Sequence, residues 1–198
     1  VVISTSSGNI TIDAAASDSD IIFKGTDGGV DTTFATMDGS AAGHLILNNG
    51  SSTTTLGTSN YVAGLNAGAG ILSGGNYNVL IGEDAGTAIT TGDNNVAVGK
   101  GALDANTTGA LNTAVGYTAL GANTTADNNT AFGYAALGAN TTGHTNVAVG
   151  KYSLDANTTG TGNTALGYNS LGANTTAVNA TAVGINALAT STTAADNV

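Results

Sequence analysis

Apolar and polar residues alternate in short runs along most of this chain. One stretch reads Thr113, Ala114, Val115, Gly116, Tyr117, then Thr118, Ala119, Leu120, Gly121, Ala122, Asn123, Thr124 and Thr125, followed by a polar corner. Alternation among β-branched and turn-forming residues predicts two short strands and two corners. The same order returns every seventeen residues, with glycine at 82, 99, 116, 133, 150, 167 and 184. Such a unit is too short for two helices and a turn. It predicts one coil of a parallel β-solenoid, each coil pairing in register with its neighbours at about 4.8 Å, so that seven coils make a rod of roughly 34 Å.

Residues seventeen apart then share a column, and alternation assigns the columns to faces. In the second expected strand Leu120, Ala122 and Thr124 share one side, which should fill the coil; its leucine column is Leu103, Leu120, Leu137, Leu154, Leu171 and Leu188. Ala119, Gly121, Asn123 and Thr125 share the other side. That set is small and polar, and the Gly121 column also carries Asp104 and Asp155, so it is expected to face solvent. Asn123→Asp should accordingly be tolerated. In the first strand the narrow coil should take Ala114 and Gly116 inward. Val98, Val115, Phe132, Val149, Leu166 and Val183 are left as an apolar ladder on the outside. A continuous apolar stripe seldom faces water, and the simplest burial is against its own copies around a rotation axis. A parallel homotrimer follows as the expectation, one that Val115→Asp should abolish.

The ends of the array are irregular, as a stacked repeat requires. The first copy has Gly86 in the leucine column and Ile89 in an asparagine column, and the last has Ala180 for the leading asparagine. Ahead of these, "NYVAGLNAGAG" from Asn60 reads as a degenerate copy offset by one residue. The chain thus divides into a β-rich segment at 1–57, a capping repeat at 58–77 and a repeat array at 78–198. The closing Asn197 and Val198 open an eighth copy, so the parent protein is expected to continue.

The string "NNTAFGYAALGANTTGHTNVAVGKYSLDANTT" is similar to the repeat arrays of bacteriophage tail-fibre proteins. More distantly, "NVAVG" and "NTAVG" resemble the head repeats of trimeric autotransporter adhesins, with their Asn-Ser-Val-Ala-Ile-Gly motif. That resemblance implies a left-handed parallel β-roll with three chains around an axis. It covers residues 78–198. The segments "GNITIDAAASDSDIIFKGT" and "GHLILNNGS" resemble, more weakly, the short-stranded shaft modules of the same fibres. The function implied is a structural fibre of a phage tail, part of the virion and extracellular. It would be a rigid spacer joined to other tail or baseplate proteins and an adhesin for a host surface glycan or protein receptor. The variable column of Tyr117, Tyr134, Lys151 and Tyr168 is the candidate receptor contact.

Composition narrows the choice. The chain has 198 residues, of which 30 are Gly, with three Phe, six Tyr and no Trp, Pro or Cys. Alanine is the commonest of its apolar residues and large aromatics are few, which argues against a conventional globular core but suits a narrow coil. Thirteen acids face three lysines, Lys24, Lys100 and Lys151, for a net charge of -10. Nucleic acid, which is bound by displacing counterions with cations, is therefore excluded as a partner, as is an anionic membrane surface. No apolar run is long enough to insert in a membrane. Without cysteine there is neither a disulfide framework nor a thiolate metal site.

The chemistry-bearing residues are sparse, and an enzyme is not expected. His44 and His144 are the only histidines, each read as a solvated corner residue. Asp104 and Asp155 stand three coils apart, roughly 14 Å, too far for the carboxylate pair of a glycosidase. Glu83 with Asp84, or Asp93 with Asp127, read as surface charge, and Glu83 with Lys100 as a weak ion pair between adjacent coils. The glycines do not follow the calcium-binding nonapeptide pattern, and "GAGILSGG" lacks the lysine of a phosphate loop. No cofactor or metal is expected. Three other functions stay open: a bacterial trimeric surface adhesin, a polysaccharide-degrading tailspike, and an ice-binding solenoid built on the threonine columns.

Overall fold

A computed structural model of the chain describes residues 21–27, 30–38, 44–47 and 57–193, with side chains over 57–193. The chain forms two compact units that divide between Ser52 and Thr53. In the first, strands β1 (Ile21–Asp27), β2 (Val30–Asp38) and β3 (His44–Leu47) make an antiparallel sheet in the order β1-β2-β3. A bulge interrupts the β1–β2 register between Phe23 and Lys24. Most of the segment read as fibre shaft lies outside the described residues, as do the side chain of His44 and the closing Asn197 and Val198.

The second unit is the solenoid. Eight three-residue strands stack in parallel: β4 (Tyr61–Ala63), β5 (Val79–Ile81), β6 (Val96–Val98), β7 (Thr113–Val115), β8 (Thr130–Phe132), β9 (Val147–Val149), β10 (Thr164–Leu166) and β11 (Thr181–Val183). The register is a step of seventeen throughout β5 to β11, with Ala97 over Ala114, Ala131, Ala148 and Ala165. From β4 to β5 the step is eighteen, Tyr61 pairing with Val79. Among the described residues there is no helix.

Each coil contains one strand, where the alternation predicts two. The second expected strand is a run of turns instead. Within it every other N–H closes a turn on its own coil: Ala119 donates to the Gly116 carbonyl (3.4 Å), Gly121 to Thr118 (3.2 Å) and Asn123 to Leu120 (3.1 Å). The N–H groups between them reach neighbouring coils, Thr118 to Lys100 (3.0 Å) on one side and Leu120 to Ala136 (3.0 Å) on the other. The backbone is left-handed at Thr118 (φ 49°) and Leu120 (φ 51°), the third residues of the first two turns, as a type II turn demands. Holding leucine there costs about 1–2 kcal/mol. Full burial of the leucine side chain returns about 1.5–3 kcal/mol, so the turn survives.

The turn run changes which residues are inside. Leu103, Leu120, Leu137, Leu154 and Leu171 are fully buried and Leu188 partly so, and Ala114 with its column packs against them. Ala119, assigned by alternation to solvent, is fully buried as well. Gly116 and its column make the corner between strand and turns. All seven of these glycines have φ between 124° and 143°, and a Cβ on Gly82 would lie 2.7 Å from the Gly99 carbonyl.

Candidate functional site

Asparagine holds the coils together. Asn78, Asn95, Asn112, Asn129, Asn146 and Asn163 form one file in which each is fully buried. The backbone N–H of Asn112 donates to Asn95 Oδ1 (3.0 Å), and its Nδ2 donates to the Ala126 carbonyl (2.8 Å), closing its own coil. A second file, Asn106, Asn123, Asn140, Asn157 and Asn174, is equally buried. There Asn123 Nδ2 donates both to Asn106 Oδ1 (2.9 Å) and to the Ala126 carbonyl (3.0 Å). Among the described residues no buried side-chain polar atom lacks a partner. The solvent face expected for Asn123 is therefore wrong: alternation does not hold through turns, and an amide is at home inside when its partner is its own copy one coil away.

Threonine divides into two files. The Thr124 hydroxyl donates to the Thr141 carbonyl of the next coil (3.2 Å), and Thr107, Thr141 and Thr158 repeat the bond. The Thr125 file is exposed. One file serves the coil and one faces out.

Two features of the surface lie largely outside the coil's own core. The first is the apolar ladder. Val98, Val115 and Val149 are half-buried, whereas Phe132 is 55% exposed, Leu166 47% and Val183 66%. The second is a strip of tyrosine. Tyr117 and Tyr134 stack with centroids 5.3 Å apart and planes at 11°. Tyr152 meets Tyr134 edge-on at 5.3 Å, and Tyr168 follows at 6.3 Å. Lys151 Nζ lies 5.3 Å from the Tyr134 centroid and 4.9 Å from that of Tyr152. The expected contact column of Tyr117, Tyr134, Lys151 and Tyr168 is thus one cluster. Tyr152 belongs to it although it stands one column over, which a search along a single column misses.

The acids are tied to the coils. Asp93 Oδ1 accepts the Asn76 N–H (2.6 Å), Asp127 Oδ1 the Ala110 N–H (2.7 Å) and Asp84 Oδ1 the Asn66 amide (2.9 Å). Lys100 pairs with Glu83 at 2.9 Å, and that hydrogen bond raises the ammonium pKa. Asp104 and Asp155 are the perturbed carboxyls. Burial raises both pKa values against the backbone hydrogen bonds of Ala105 and Ala156, and the charge of Asp84 adds to the effect at Asp104. His144 is exposed at the edge of a shallow depression of about 320 Å³ lined by Thr125, Ala126, Asp127, Asn128 and Thr142. Among the described residues no three acids or histidines gather at metal-binding distance.

Comparison with known proteins finds no matching family model, no matching curated protein and no matching solved structure.

Proposed function

We propose that the chain is a structural fibre protein of a phage tail, assembled as a parallel homotrimer, extracellular on the virion, and serving both as a rigid spacer and as a host-attachment adhesin. The observation that carries this reading is the apolar ladder. A solenoid that satisfies its own buried polar groups has no internal use for Phe132, Leu166 and Val183 on its outer side. Side chains of this kind repeated at every coil suit a partner with the same repeat, and a copy of the chain in register has it. The resemblance of the repeat to tail-fibre arrays supports the same assignment. Stiffness follows from backbone bonds and amide ladders at each step, which is what a spacer needs.

The tyrosine strip supports the adhesin half of the proposal, as the candidate contact for a host surface glycan or protein receptor. A polysaccharide-cleaving tailspike is less well supported, because Asp104 and Asp155 are three coils apart and Asp93 and Asp127 are spent on neighbouring N–H groups.

The molar mass in solution tests the reading. Light scattering should give about 57 kDa, three times the 19.0 kDa chain. A monomer would remove the axis and with it the fibre.

A further inference from the structure

Four of the six tyrosines of this chain stand in one unbroken strip across four consecutive coils. Columns that build the coil repeat the same residue from copy to copy. The Tyr117 column does not: it reads Glu83, Lys100, Tyr117, Tyr134, Lys151, Tyr168 and Ile185. Tyr117, Tyr134 and Tyr168 are 48%, 45% and 46% exposed, so each side chain is still reachable from solvent. Where Lys151 interrupts the column, Tyr152 fills the gap, and the ammonium lies against both flanking rings. The result is a lysine set into a continuous aromatic surface.

The charge on that lysine is the informative part. Lys100 is neutralised by Glu83, but among the described residues no carboxylate lies within ion-pair distance of Lys151. In a chain of thirteen acids and three lysines, this is a cation kept away from the protein's own anions. An ammonium among tyrosines repels a cationic ligand from the rings and attracts an anion to them. Phenol edges and hydroxyls supply the rest: apolar area for the C–H faces of a sugar and hydrogen bonds for its hydroxyls. Nucleic acid and densely charged polyanions are disfavoured, because one cation cannot offset a net charge of -10.

We infer that the strip of Tyr117, Tyr134, Tyr152 and Tyr168 with Lys151 binds an oligosaccharide carrying an isolated carboxylated sugar, with the carboxylate on Lys151 and the adjoining sugar rings along the tyrosines. This rests on the reading of the chain as an attachment fibre and names the class of its receptor. The strip must then stay open in the assembled protein.

The experiment titrates the full chain with a panel of sialylated and uronate-containing oligosaccharides and their neutral counterparts, by saturation-transfer NMR and calorimetry. At least one carboxylated member should bind more tightly than its neutral counterpart. Lys151→Gln should abolish that preference, and Tyr134→Ala and Tyr152→Ala should lose binding of both sugars, with circular dichroism and molar mass unchanged. Failure of every carboxylated sugar to bind, or binding that Lys151→Gln leaves intact, overturns the inference even if the protein is a trimer. A drop in molar mass with Tyr134→Ala also overturns it, since the strip would then be an interface between copies. A monomeric wild type that binds acidic sugar through Lys151 would sink the fibre reading and leave the site standing.

Discussion

A buried asparagine in this protein is held by an asparagine one coil away, and that sets what a substitution does. Asn123 donates from Nδ2 to two oxygens and accepts from Asn140 Nδ2 (3.1 Å). Asn123→Asp keeps the size but replaces both donors with an oxygen facing two acceptors. The loss should be about 3 kcal/mol, seen as a lower urea midpoint at neutral pH and partly relieved in acid as the new carboxyl protonates. Exposed Asn128, in the polar corner of the same coil, should accept the same change with little effect. The native carboxyls carry a milder form of this penalty. Burial raises the pKa of Asp104 and Asp155 in the folded state, so between the unfolded and folded pKa values the native protein holds more protons, and stability falls as pH rises through that window. Asp104→Asn with Asp155→Asn should raise the urea midpoint near neutrality, and the gain should vanish at about pH 3, where both states are protonated.

The coil is the element that the sequence specifies most strongly, and its length is the specification. Because each column meets its own copy, removing residues 113–129 joins Asn112 to Thr130 and preserves every file. That variant should fold, with seven strands in its sheet and a modestly lower urea midpoint, since stability in a stacked array adds up coil by coil. Removing residues 113–128 shifts every later column by one position against those before it. It should lose cooperative unfolding, and an equally cooperative transition in both variants would show that register does not hold the array together. The glycine clock, the strand of each unit, the leucine column and the Ala114 column were legible from the seventeen-residue period and the alternation within it, whereas the buried Ala119 column was not. The turn run was not, because Leu120 gives no local sign of a left-handed backbone; that conformation is stabilised by burial against leucines of other coils. The error at Asn123 follows from the same cause: once a segment is taken for a strand, the period of two decides each face. Tyr152 was hidden differently, since contact across columns depends on side-chain reach and not on repeat position.

At the scale of the whole molecule the question is what covers the ladder, and the side chains differ in how cleanly they can answer it. Val115→Asp should abolish assembly, but Val115 is half-buried in the single chain, so its failure to assemble could follow from a damaged coil. Phe132 separates the two effects. With 55% of its surface outside the solenoid and β8 bonded on both sides, Phe132→Asp leaves the amide files and the leucine core untouched. In a trimer the same change acts three times near the axis, where three carboxylates would be brought together out of water. The expected outcome is a chain of 19.0 kDa by light scattering whose circular dichroism matches the parent, with the lost association recovered in part as pH falls and the aspartates protonate. If Phe132→Asp leaves the molar mass unchanged at about 57 kDa, the ladder is not at the interface. The copies must then meet somewhere other than the ladder.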